Sequence, residues 1–179
     1  MAGVSDRRNV QQQRWALVVP WLATAARALL GVVFVWAGVV KLPDPAAAER
    51  AVRAYRLLPE SLVAAAAFGL PVIEIAVGLA LLAGVFVRTA AIAASVMLAV
   101  YIAAIASVWA RGLSIDCGCF GNGGQVAAGA THYPTEIARD AALLIVALAL
   151  ARWPRSRLAL GAAQQPLPQE PQREVSRAR

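Results

Sequence analysis

From Ala90 to Trp109 the chain runs twenty residues without a charged side chain. That is the length an α-helix needs to cross the roughly 30 Å hydrocarbon core of a bilayer. Three other stretches approach it: Trp21 to Leu42, Leu62 to Val87 and Thr135 to Trp153. Inside a bilayer no water satisfies the backbone N–H and C=O groups, so such stretches become helices that close their own hydrogen bonds. Hydrophobic residues make up 60% of the 179 and charged residues 15%, against about half and about a quarter in a soluble domain. This composition excludes a disordered chain and argues against a water-soluble enzyme. The expected fold is an all-α membrane protein, a four-transmembrane-helix bundle with a short interfacial helix and disordered termini.

The boundaries follow from where polarity returns. Residues 1–15 carry Asp6, Arg7, Arg8, a run of glutamines and Arg14, and are expected to form a disordered cytoplasmic arm. The membrane domain is expected over 16–153, followed by an Arg-, Gln- and Pro-rich cytoplasmic tail over 154–179 without fixed structure. Between the first two spans, Ala47, Ala51, Ala54, Tyr55 and Leu58 fall at helical spacing opposite Glu49, Arg50, Arg53 and Arg56. That pattern predicts a short amphipathic helix lying on the membrane surface.

The net charge is +7. In a soluble protein this would suggest nucleic acid, but here the basic residues border membrane spans, and the expected partner is the lipid bilayer, with no nucleic acid. With both termini cytoplasmic, Lys41, Arg50, Arg53, Arg56, Arg111 and Arg139 fall outside and the other eleven of the seventeen basic residues fall inside. This excess favours cytoplasmic termini in a multi-pass protein of the cell membrane. The loop from Arg111 to Pro134 then faces the extracytoplasmic space, where disulfides form and persist.

That loop holds both cysteines of the chain, in the string Ser114-Ile115-Asp116-Cys117-Gly118-Cys119-Phe120-Gly121. A disulfide between residues i and i+2 needs an unusual backbone, which Gly118 can supply. Strain makes such a bond easier to reduce, and a bridge this short removes almost no entropy from the unfolded chain. The pair therefore suits dithiol–disulfide exchange better than structural stapling. Two reduced, packed cysteines, or a metal site built from Cys117, Cys119, His132 and Asp116, are the alternatives.

The string Asp116-Cys117-Gly118-Cys119-Phe120-Gly121 resembles the signature of the methylamine utilisation MauE family, relatives of the DoxX membrane proteins. Other segments agree in order: Arg27 through Gly31-Val32-Val33-Phe34 and Gly38 to Lys41-Leu42-Pro43-Asp44-Pro45, then Tyr55-Arg56-Leu57-Leu58-Pro59, then Pro71-Val72-Ile73-Glu74-Ile75-Ala76-Val77-Gly78, then Arg139-Asp140. The resemblance covers about residues 22 to 153. It implies a four-helix membrane protein linked to extracytoplasmic disulfide chemistry, assisting maturation of a partner such as the disulfide-rich subunit of an amine dehydrogenase.

Three further residues bear on function. Glu74 near the middle of the second span is costly in lipid and usually faces a partner or the bundle interior. It suits a proton relay, a cap on the break expected at Pro71, or a pair with Arg27. Arg139 suits either stabilisation of a thiolate or anchoring of a helix end. His132 is either an acid–base group near the dithiol or a solvated loop residue. No quinone or haem motif is visible, so no cofactor is identified, and no metal is assigned. The expected function is a membrane thiol–disulfide redox protein cycling Cys117 and Cys119 against an extracytoplasmic protein partner. Its rivals are a small-molecule or ion transporter using Glu74 and a non-catalytic assembly factor.

Overall fold

The computed structural model describes residues 2–118, 123–127 and 129–154, with side chains from Val18 onward. In chain order it contains α1 (Ala2–Val39), α2 (Pro45–Ala54), α3 (Glu60–Ala83), α4 (Val87–Ala110), β1 (Ile115–Asp116), β2 (Gly124–Gln125) and α5 (Tyr133–Arg152). Three helical stretches are long and apolar enough to cross a membrane: Val18–Val39, Glu60–Ala83 and Val87–Ala110. They match the first three spans read from hydropathy. α5 has twenty residues but is not among them. Its first turns carry Glu136, Arg139 and Asp140, and the last of these is buried.

Several boundaries differ from the sequence reading. α1 begins at Ala2, so residues 2–15, expected as a disordered arm, continue it as helix. No Gly or Pro lies between Val4 and Val19, and Gln and Arg are good helix formers, so a helix nucleated in the span propagates back into them. α3 runs through Pro71 without a break. It ends at Gly84, whose φ of +70° makes the left-handed cap. The turn therefore precedes Arg88 and Thr89, which lie inside α4. The loop before α5 contains a two-stranded antiparallel ladder pairing Ile115 with Gln125 and Asp116 with Gly124. The tail from residue 155 lies outside the described residues.

The packing follows from where the chain is narrow. α1 lies on α3, α3 on α4, α4 on α5 and α5 on α1, a closed ring of four long helices. Along the α1–α3 seam a Cβ added to Gly78 would stand 2.8 Å from the carbonyl oxygen of Gly31 and 2.8 Å from the amide nitrogen of Val35. One added to Gly38 would stand 2.7 Å from the Pro71 oxygen. Close approach through small residues is how helices associate where lipid is as apolar as leucine. Gly78→Val should therefore force the two helices apart, costing about 1–3 kcal/mol of overpacking. A wild-type melting temperature for that variant in detergent would contradict this account.

Leu30, Phe34, Leu81, Ala91, Leu98, Ala147 and Leu150 fill the middle of the ring. A second cluster, Ala54, Ile105, Val108, Ile115 and Tyr133, sits under the strand pair. Many large apolar side chains face outward as well: Trp36, Phe68, Phe86 and Ile145 are all exposed. An apolar surface this extensive, outside an apolar core, is unlike a water-soluble domain and suits a hydrocarbon surround.

α2 is short because its ends are fixed. Asp44 accepts the Ala47 N–H at 2.8 Å and Pro45 opens the first turn, where a missing N–H costs nothing. Arg53 in its last turn reaches Glu60 through Nε at 2.9 and 3.0 Å. The Glu60 carboxylate holds that guanidinium above its ordinary pKa range by hydrogen bonding.

Candidate functional site

β1 delivers Cys117. Ile115 is 2% exposed, pinned under the loop by Tyr133. The Tyr133 hydroxyl accepts the Ile115 N–H at 2.9 Å and donates to the Leu113 carbonyl at 2.6 Å. One residue on, the Gly118 N–H donates to Asp116 Oδ1 at 3.0 Å, closing a tight local turn in which Gly118 has φ +69°. The Cys117 carbonyl accepts from the Tyr55 hydroxyl at 3.0 Å, and the Tyr55 carbonyl accepts from Arg111 Nη2 at 2.6 Å. The cysteine loop is thus tied to the end of α2 and the end of α4. A Cβ on Gly118 would lie 3.0 Å from Gly123 Cα and 3.2 Å from Ala51 Cβ, so the strand pair rests directly on α2. Cys119 lies outside the described residues.

Three ligating atoms gather here. Carboxylate oxygens of Asp116 and Glu136 and the Cys117 sulfur all lie within 4.8 Å of one another. Glu136 comes from the first turn of α5, nineteen positions along the chain, and its buried Oε2 accepts no hydrogen bond among the described residues. Two carboxylates oppose thiolate formation by charge, yet a carboxylate within 4.8 Å is near enough to take the released proton through one bridging water. The same atoms could also converge on a cation. His132, grouped with the cysteines on sequence grounds, is instead the residue before α5 and is exposed.

A pocket of about 300 Å³ opens next to Cys117 and Gly118, between α2, α3 and α4. Its walls are mostly Ala, Val and Leu; Lys41 and Tyr101 supply polarity at the α1–α4 side, and Asp44 and Tyr55 at the two ends of α2. Lys41 and Tyr101 meet at Glu74, which is 1% exposed. Lys41 Nζ donates to Glu74 Oε1 and Oε2 at 2.7 and 2.8 Å, and the Tyr101 hydroxyl donates to Oε1 at 2.7 Å. The pairing differs from the sequence expectation. Among the described residues the ion pair of Glu74 is with Lys41, not Arg27, and the unbroken helix at Pro71 needs no cap. Arg27 is itself 4% exposed.

Beyond Glu74, a small cavity of about 30 Å³ joins it and Tyr101 to Arg139 and Asp140. Arg139 Nε donates to Asp140 Oδ1 at 2.9 Å, and that carboxylate is 3% exposed. The structure thus places Arg139 against its chain neighbour, and places Glu136, one turn earlier, beside the cysteine.

The sequence profile described as methylamine utilisation protein MauE matches residues 19–153. The chain is 39% identical over 108 residues to the methylamine utilization protein MauE of Paracoccus denitrificans, a match covering 60% of this chain and 58% of that protein. It therefore spans little more than half of that relative. No solved structure matches the chain.

Proposed function

This chain belongs to the methylamine utilisation MauE family, and from that membership and the site geometry we propose an integral membrane thiol–disulfide redox protein. Cys117 and Cys119 are its exchanging pair. It oxidises cysteines of an extracytoplasmic protein partner, an enzyme subunit of amine utilisation being the partner that the family description favours. The observation that carries this reading is the hold on Cys117: a residue fixed at backbone level on both sides, with carboxylates within 4.8 Å of its sulfur.

In the exchange, a partner thiolate attacks one sulfur of the Cys117–Cys119 disulfide and the other leaves as a thiolate. The second partner thiol then displaces the mixed disulfide. The partner gains one S–S bond, and the pair gains two electrons and two protons as a dithiol. Glu136 is the acid–base group for Cys117 in this scheme. Glu136→Gln is expected to slow exchange by about 10²-fold or more at neutral pH. An unchanged rate would remove Glu136 from the mechanism.

α5 completes a four-span bundle with its charged first turns turned inward, and α2 lies at the outer interface. Both termini are cytoplasmic. The test is thiol trapping in intact cells with a membrane-impermeant maleimide. Labelling only after mild reduction, lost in the Cys117→Ser/Cys119→Ser double variant, is the expected result. Labelling that requires permeabilised cells reverses the orientation, and labelling without reduction removes the disulfide.

A further inference from the structure

The exchange proposed above leaves the pair reduced, so each cycle must pass two electrons onward. The pocket beside Cys117 is where they can go. It runs between α2, α3 and α4, with Cys117 at one part of its wall and Lys41 and Tyr101 at another. Leu58 and Val100, both exposed apolar side chains, line it too, so it opens to the outside past an apolar edge within reach of a lipid-soluble ligand. At about 300 Å³ it reaches the size of small-ligand sites, roughly 300–1,000 Å³.

The polarity of the pocket limits what fits. An ammonium group held within apolar helices is costly unless paired. Lys41 commits two donated bonds to Glu74 while its side chain stays 15% exposed and lines the pocket. An acyl chain would set hydrocarbon against that ammonium and offer it no acceptor. A ligand that is apolar over most of its body, carries a carbonyl oxygen for Lys41, and presents a reducible ring to the cysteine matches the apolar walls and the ammonium, and leaves the exposed Asp44 carboxylate at the rim to water.

We propose that this pocket is a quinone site, and that a membrane quinone is the electron acceptor for the Cys117–Cys119 dithiol. The step balances: two S–H bonds break and one S–S bond forms, while the two quinone carbonyls take two electrons and two protons to become a hydroquinone. Glu136 accepts the Cys117 proton, and the Lys41 ammonium hydrogen-bonds the carbonyl oxygen on which negative charge develops. The inference rests on the redox reading of the pair and adds its oxidant.

The experiment uses the full chain, reduced, in quinone-free nanodiscs, with decylubiquinone as the probe and decanol as a control for the tail alone. Two thiols should disappear for each hydroquinone formed, at a rate that saturates with quinone. Ala66→Phe and Ala104→Phe put an aromatic ring into the pocket from partly exposed positions. Each should raise the half-saturating concentration about tenfold or more, a loss of 1.4 kcal/mol or greater. Decylubiquinone should also raise the melting temperature of the Cys117→Ser/Cys119→Ser double variant, with decanol without effect; this arm needs neither exchange chemistry nor a Phe variant that folds. Oxidation linear in quinone, a wild-type half-saturating concentration in both well-folded Phe variants, or an equal shift by decanol overturns the quinone site. Failure of the wild-type pair to exchange with oxidised glutathione, with the quinone shift intact, instead overturns the redox reading and leaves the pocket standing.

Discussion

Lys41→Met is expected to destabilise the protein by about 3–5 kcal/mol, and adding Glu74→Gln to recover most of that loss. Glu74 is 1% exposed and lies inside an apolar helix of twenty-four residues. Its two oxygens take three hydrogen bonds, two from Lys41 and one from Tyr101. Removing the ammonium leaves a carboxylate with one neutral donor in a medium that cannot solvate it, and breaking a buried pair from one side costs about this much. Replacing both partners with neutral groups removes the uncompensated charge, and the Gln carbonyl can still accept from Tyr101. Glu74→Gln alone should lie between the two, because the orphaned Lys41 faces the pocket and retains some exposure. Thermal unfolding of the four proteins in one detergent gives the coupling energy. Single losses that simply add in the double variant would mean that the pair contributes nothing to the fold.

This pair marks the limit of what the sequence discloses. The first three spans are legible because twenty apolar residues in a row have few alternatives. α5 is half legible: its length is right, but Arg139 and Asp140 depress its hydropathy, and only the fold shows that Asp140 is turned inward. The partner of Glu74 is a matter of tertiary placement. Arg27 lies within the first span, but Lys41, beyond the end of α1 and 33 residues from Glu74, is the one that reaches it. One signal was available: Lys41 is the single lysine among seventeen basic residues, an odd choice for a chain that otherwise uses Arg. The strand pair at Ile115 and Gln125 is two residues per strand, too short for any alternation to register. Glu136 carries no mark in the sequence, because its nearness to Cys117 exists only once α5 packs against the loop. Backbone placement around Gly118 was foreseeable, since only glycine meets a positive φ there without strain.

The cysteines should give the largest effect, and an asymmetric one. Cys117 is held by Tyr55 through its carbonyl, and its sulfur stands within 4.8 Å of a Glu136 carboxylate oxygen. A sulfur beside an acid–base group is suited to leave as a thiolate and be protonated. The partner thiolate is then expected to attack Cys119, making Cys119 the residue joined to the partner and Cys117 the leaving thiolate, which displaces the partner only in the reverse direction. Either Cys→Ser change should abolish turnover, because one thiol cannot close the cycle. Only Cys117→Ser, mixed with the partner in its disulfide form so that the Cys119 thiolate attacks one partner sulfur and the other leaves as a thiolate, should accumulate a mixed disulfide, visible as a higher-mass band on non-reducing gels and lost on reduction. Glu136→Gln in the wild-type cysteine background should slow formation of the mixed disulfide, the step in which Cys117 leaves, without changing which cysteine is joined to the partner. The opposite asymmetry, a band from Cys119→Ser alone, would reverse the two roles. Full partner maturation in both single variants would end the redox mechanism and leave the chain a membrane assembly factor whose loop docks without exchanging electrons.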